Sequence, residues 1–261
     1  MNYYDIFLTV KPQLKTLADE MENTILRFDP SISVYNPFSY GIECFLKYLE
    51  LYFSSSLPRF LVIGLNPGID GAIQTCIPFT DPYHCRECLG IDPCEYIMPY
   101  RNVAPNKYIK KPIEKTAKIV YEAIEEMGND KFFSEVLFLN AFPLGMTVKA
   151  AVPKQSGFYE KNWTPKDLKG ILREKGKEFA ENYLKLITMG LSNYKVVTLG
   201  EYARERAKKI RVDYCLMHPS PVALNTKKIT REEWKAQFKE IFQHQEFIKL
   251  ITPLTQEPKN A

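Results

Sequence analysis

The chain has 261 residues, 45% of them apolar, and a formal net charge of +4. That is enough apolar material for a large buried core and too much for a disordered chain. No window approaches about 18 consecutive apolar residues, which excludes a membrane helix, and MNYYDIFLTVKPQLK lacks the basic-then-apolar order of a secretory leader.

Residues 1–55 read as a helical part, in which YGIECFLKYLELYF (Tyr40–Phe53) sets aromatic and aliphatic groups three and four apart. RFLVIGL (Arg59–Leu65) is a short continuous apolar run ending in glycine, the pattern of a strand buried on both faces. Similar runs recur at EVLFLNAF (Glu135–Phe142), YKVVTLG (Tyr194–Gly200) and DYCLMH (Asp213–His218). Helix-like segments lie between and after them, over Ile113–Met127, Pro165–Thr188, Tyr202–Ile210 and Arg231–Phe247. The polar tail Ile251–Ala261 holds two prolines and is expected to fray. Strands alternating with helices imply crossover connections. The expected fold is α/β: one domain over residues 1–261, a three-layer α/β/α sandwich around a central, mainly parallel four-stranded sheet.

Charge is unevenly placed. Residues 1–60 hold 5 Lys/Arg against 7 Asp/Glu, and residues 195–239 hold 11 against 5. The second stretch suits a phosphate-facing surface, or else a solvated basic face. Six cysteines are too sparse for a disulfide scaffold in a chain of this length, so reduced thiols and an intracellular location are expected.

Ligands of open parallel sheets bind beyond the carboxyl ends of the strands, which singles out GLNPG, NAFPLG, GEYAR and HPSP. The glycines at 64, 68 and 71 fit neither a dinucleotide fingerprint nor a P-loop, so no nucleotide cofactor is expected. What remains is Asn66 directly after a strand, with Pro67 stiffening the turn and Gly68 keeping space clear; the alternative is an Asn that serves only the turn. His218, one of three histidines with His84 and His244, follows another strand and is itself followed by two prolines. A strand-end histidine alone is an ordinary structural group, but beside such an asparagine it becomes a candidate site.

GLNPGIDGAIQTCIPF resembles the first motif of the SMUG family of single-strand-selective monofunctional uracil-DNA glycosylases, within the uracil-DNA glycosylase superfamily. HPSP resembles the start of that family's second motif, and FLNAFPL (Phe138–Leu144) its intervening strand. The likeness spans about residues 58–245. It implies that Asn66 positions the attacking water and His218 stabilises the departing uracil anion. It likewise implies that Phe79 stacks on an extruded base and Asn140 reads the uracil edge, with Gly64, Leu65, Pro67 and Gly68 completing the pocket. Pro219, Ser220, Pro221, Val222, Leu224, Asn225, Lys227 and Lys228 fall where the family contacts DNA, Leu224 as an apolar wedge and the two lysines on phosphates. The implied activity is hydrolysis of the N-glycosidic bond of uracil in base excision repair, leaving an abasic site. Gly68 leaves room for 5-hydroxymethyluracil as a second substrate.

The chain also departs from the family pattern. Val222 replaces an arginine, Ala72 a methionine and Cys76 a glycine. DPYH (Asp81–His84) matches the catalytic string of another uracil glycosylase family but lies too far after the strand, and Asp70 near Asn66 reads as a base or as a surface group. His84, Cys85, Cys88 and Cys94 imitate a metal site without its paired spacing, so neither metal nor cofactor is expected; a small metal-binding interaction protein is the reading that such a site would favour. The expected partners are single- and double-stranded DNA containing uracil, with no membrane and a monomeric chain, in the nucleus of a eukaryote or the cytoplasm of a bacterium. A non-catalytic or differently specific nucleic-acid binder on the same fold is the alternative.

Overall fold

The computed structural model describes residues 1–107, 114–152 and 157–243. The expected tail, His244 and the outer ends of two expected helices lie outside the described residues.

The chain opens with α1 (Tyr3–Phe28), whose buried Tyr3, Phe7, Val10, Leu14, Ala18, Met21 and Ile25 form one helical stripe. The Asn2 side chain caps it by accepting from Asp5 N at 2.9 Å. Then follow β1 (Ile32–Tyr35), α2 (Pro37–Tyr40), α3 (Ile42–Phe53), β2 (Phe60–Gly64), α4 (Ala72–Thr75), α5 (Pro82–Glu87) and α6 (Pro93–Tyr96). Next are α7 (Lys115–Glu125), α8 (Asn129–Phe133), β3 (Val136–Asn140), β4 (Gly145–Ala151), β5 (Phe158–Trp163) and α9 (Gly170–Ile187). The last are β6 (Lys195–Leu199), α10 (Glu201–Ala207), β7 (Tyr214–Leu216), α11 (Pro221–Lys227) and α12 (Arg231–Gln243).

The four apolar runs form one sheet in the order β3-β2-β6-β7, every pair parallel. Strands β2 and β3 are buried at every position, as expected of a sheet covered on both sides. Over one face, Phe132 of α8 packs edge-on to Phe138 and Phe242 of α12 packs on Phe60. On the other side lie α9 and α10, with Phe179 of α9 against Phe142 just beyond β3. These layers match the α/β/α expectation.

A second sheet, β1-β4-β5, is antiparallel and was not expected. It corrects the all-helical reading of residues 1–55, because Ile32–Tyr35 is a strand. Four residues are too few for a helical period to be told from a strand, and pairing with β4 decides the matter. Strand β5 is mostly exposed and shows no apolar face, so nothing in its hydropathy marked it.

Candidate active site

The register of β2 and β3 places Gly64 opposite Asn140 at the carboxyl end of the parallel sheet. Pairing continues past the strands, with Ala141 N donating to Gly64 O at 2.8 Å and Phe142 N to Leu65 O at 3.0 Å, so both loops leave the sheet side by side. A Cβ on Gly64 would stand 2.4 Å from Cζ of Phe79 and 3.1 Å from Oδ1 of Asn140. Only glycine lets the phenyl ring and the amide close over the strand end there.

Phe79 sits at φ 60°, in the left-handed region. The surrounding polar groups hold it: Thr75 Oγ1 donates to Thr80 O at 2.8 Å, and Thr80 Oγ1 lies 2.8 Å from the Tyr121 hydroxyl. Its ring packs edge-on to Phe138 at 5.3 Å. Asn140 is only 5% exposed, and its amide has no hydrogen-bond partner among the described residues. The amide lines the cavity, where it is free to bond a ligand with both donor and acceptor.

Asn66 is tied by its Nδ2, which donates to Pro67 O at 3.2 Å and to Trp163 O of β5 at 3.3 Å. Two carbonyl acceptors fix the amide's orientation and leave Oδ1 as a free acceptor among the described residues. The loop beyond is braced in two more places. Asn162 Oδ1 accepts from Ile69 N at 2.9 Å, and buried Gln74 donates to Ile69 O at 2.8 Å. The antiparallel sheet therefore buttresses the first loop, a role with no signal in the sequence beyond the alternation in MTVKA.

His218 follows β7, and the strand exit is pinned by Trp234 Nε1, which donates to Met217 O at 2.8 Å. Its Nδ1 accepts from Ser220 N at 3.2 Å, so in the neutral ring the proton resides on Nε2. Burial, with the positive charge of Lys166 as a smaller cause, pulls the imidazole pKa down to about 4. At neutral pH it is an uncharged N–H donor.

Asn66, Phe79, Asn140 and His218 line one cavity of about 300 Å³, together with Leu65, Pro67, Gly68 and Ser220. Asn162, Thr164, Glu114 and Thr116 also line it, and the sequence pointed to none of these four. Glu114 caps α7 by accepting from Ala117 N, and burial raises its carboxyl pKa above the ordinary range. A Cβ on Gly68 would meet only Asn162 Nδ2, at 3.8 Å, so the space before the sheet is open there.

Leu224, Pro219 and Cys76 depart from what was expected of them. Leu224 is 4% exposed and packs into the core beneath α11, so it does not serve as a wedge; Val222, 78% exposed, is the apolar side chain that projects. Pro219 is buried behind the loop, Pro221 begins α11 after Ser220 caps it, and Asn225, Lys227 and Lys228 are exposed. Cys76 does not line the main cavity. It borders a smaller apolar hollow with Pro67, Ala72 and Asn140, and its thiol occupies the room left by Gly41. Asp70 lies in a separate surface hollow with Arg101 and Lys107, and burial raises its pKa. Asp81 is wholly buried, caps α5 and accepts from His84 Nδ1 at 2.9 Å, a structural pair. Among the described residues no group of three His, Cys, Asp or Glu side chains is placed to hold a metal.

The profile of the family described as "Uracil DNA glycosylase superfamily" matches residues 52–243. The crystal structure of wild-type Pedobacter heparinus SMUG2 superposes with a TM-score of 0.63 at 22% sequence identity, over 93% of this chain and 97% of that one. At that identity the likeness is one of fold, and it agrees with the parallel sheet and its helical layers. Since the family match spans well over half of the chain and contains every residue of the cavity, the protein belongs to the uracil DNA glycosylase superfamily.

Proposed function

We propose that the chain is a monofunctional DNA glycosylase of the SMUG type, which extrudes uracil from DNA and hydrolyses its N-glycosidic bond. The observation that carries this reading is the unpartnered amide of Asn140, which lines the cavity beside the ring of Phe79. A flat apolar ring next to an amide that offers both donor and acceptor suits the carbonyl and N–H of uracil and disfavours the amino edge of cytosine.

Cleavage develops positive charge on the sugar and negative charge on the base. The Nε2–H of neutral His218 donates to the base oxygen as that charge grows; a well-placed donor of this kind typically contributes about 3 kcal/mol. Asn66 accepts a hydrogen bond from the attacking water through its free Oδ1 and so aims the oxygen at C1′; as the C–O bond forms and the C–N bond breaks, the water's proton passes to solvent or to the departing uracil anion. An amide does not remove that proton, so leaving-group stabilisation supplies most of the acceleration. No lysine lines the cavity among the described residues, which favours water over an amine as nucleophile.

Ser220, Val222, Asn225, Lys227 and Lys228 stand on the DNA side of His218, with Val222 entering the gap left by the extruded nucleotide. The chain acts as one domain and as a monomer, on uracil in single or double strands. The open space at Gly68 suits 5-hydroxymethyluracil as well.

The test uses a labelled single-stranded oligonucleotide bearing one deoxyuridine. Strand scission only after alkali, lost in Asn66→Ala and His218→Ala, is the expected result. No uracil release from single strands or from a U·G duplex would falsify the reading.

A further inference from the structure

Strand β5 carries a surface that the base-binding site leaves unused. Phe158 is 74% exposed and Tyr159 46% exposed, on an outer strand whose far edge pairs with no other strand among the described residues. Exposed aromatics on an open edge invite self-association unless a ligand covers them.

The other end of the same strand reaches the cavity. Asn162 lines it, its Oδ1 held by Ile69 N, so that its Nδ2 is turned out beside Gly68 with no partner among the described residues. Side chains alternate along a strand, so Phe158, Glu160 and Asn162 share one face, with Lys149 opposite Glu160 on that face. Four residues at about 3.3 Å each put Phe158 about 13 Å from the cavity mouth. Tyr159 and Lys161 project from the opposite face of the same edge.

The charge matches a polyanion. Lys149, Lys161, Lys166 and Lys169 are exposed, and none is in an ion pair among the described residues. Two acids stand near them, Glu160, which accepts from Thr147 Oγ1, and Asp167, which accepts from Thr164 N at 2.8 Å and Thr164 Oγ1 at 2.7 Å; the four lysines outnumber these two carboxylates, so the strip is positive on balance. The strip reaches the site through Asn162 and Thr164, which line the cavity two to four residues before Lys166.

We infer that this face of β5 and the lysines around it form a landing platform for the single-stranded DNA that flanks the extruded nucleotide, with Phe158 stacking on a base and Asn162 donating to the strand at the cavity mouth. The inference rests on the glycosylase reading for the position of that nucleotide. Unpaired bases offer their faces to aromatic side chains, whereas stacked duplex bases do not. The platform therefore discriminates between strands, and the loop at α11 serves both.

The experiment measures fluorescence anisotropy of two probes, a single-stranded oligonucleotide with one tetrahydrofuran abasic site and its duplex, so that binding is read without turnover. The proteins are the native chain, Phe158→Ala and Lys149→Ala/Lys166→Ala, with unfolding midpoints checked against the native value. The expected result is a roughly tenfold weaker single-strand affinity for the aromatic variant, with duplex affinity changed less than about twofold. The lysine variant is expected to lower the salt slope on single strands by about 0.7 per lysine lost. Equal losses on both probes, or unchanged single-strand binding, overturn the platform. Uracil release by the native protein is assayed in parallel. Its absence alongside the predicted binding losses overturns the glycosylase reading and leaves the platform standing.

Discussion

The backbone N–H of Ser220 donates to Nδ1 of His218 at 3.2 Å, and this bond decides which ring nitrogen faces the cavity with a proton. With its pKa pulled down to about 4, mainly by burial, His218 remains neutral through the physiological range. The acid limb of the pH–rate profile that belongs to His218 is therefore expected near pH 4, not near the ordinary histidine value of about 6.5. Folding is linked to the same group. The unfolded chain binds the proton more tightly, so the stability from neutral His218 is present above about pH 6.5 and is lost as pH falls toward 4. Thermal melts of the native protein and His218→Gln over that range check this: the native midpoint should fall more steeply with acid. Parallel curves would remove the linkage.

Gly64→Ala places a methyl 2.4 Å from the Phe79 ring and 3.1 Å from the Asn140 oxygen. Since both side chains belong to the proposed base pocket, uracil release should drop by at least about tenfold, with a stability loss of about 1–3 kcal/mol from overpacking. Steady-state kinetics and urea unfolding on one preparation separate the two effects. Near-native kinetics would mean that the ring and the amide move aside without consequence.

Thr75 holds Thr80 O and receives the amide of Ile77, so it clamps the backbone on both sides of the left-handed Phe79. Thr75→Val keeps the shape and strands those groups, at a cost of about 1–3 kcal/mol. The expected kinetic effect is a several-fold rise in KM for uracil-containing DNA with a smaller change in kcat, because the stacking ring is loosened while Asn66 and His218 remain in place. Thr75→Ser restores the hydroxyl and should restore KM; failure of that rescue would point to a packing role.

Along α11, neighbouring apolar residues serve opposite ends. Leu224→Ala removes a buried side chain and should destabilise by about 2–5 kcal/mol, whereas Val222→Ala at an exposed position should stay within about 0.5 kcal/mol. Val222→Ala should instead slow uracil release from duplex more than from single strands. Equal unfolding midpoints for the two variants would contradict the burial described.

The parallel sheet was legible because both faces of β2 and β3 are covered, so each strand reads as an unbroken apolar run closed by a loop of turn residues. Asn66 and His218 were singled out because each directly follows a strand, and Phe79 and Asn140 only through the resemblance of the motifs that hold them; the structure brings all four to one cavity. The second sheet was not legible. Strand β1 is four residues long, and FYEKNW of β5 presents polar or exposed groups on both faces. Asn162, Thr164 and the Trp163 carbonyl were missed with it. Leu224 was read as a projecting wedge because a linear reading of VALNTKK does not reveal that α11 starts at Pro221, which turns residue 224 inward and leaves Val222 exposed. Glu114 carried no signal, since its place in the wall depends on the absence of a side chain at Gly71.

The two sheets share no strand, yet Asn66 and Ile69 of the parallel sheet's loop are hydrogen-bonded to Trp163 and Asn162 of the antiparallel one. Cooperative unfolding does not require such units to open together, and an exposed edge strand peels away at a lower free-energy cost than a covered one. Detachment of β5 would free the Asn66 amide to rotate while the central sheet and its helices remained intact. On warming, catalytic competence would then fade before the global melt, and amide exchange along β5 would set the temperature at which it does.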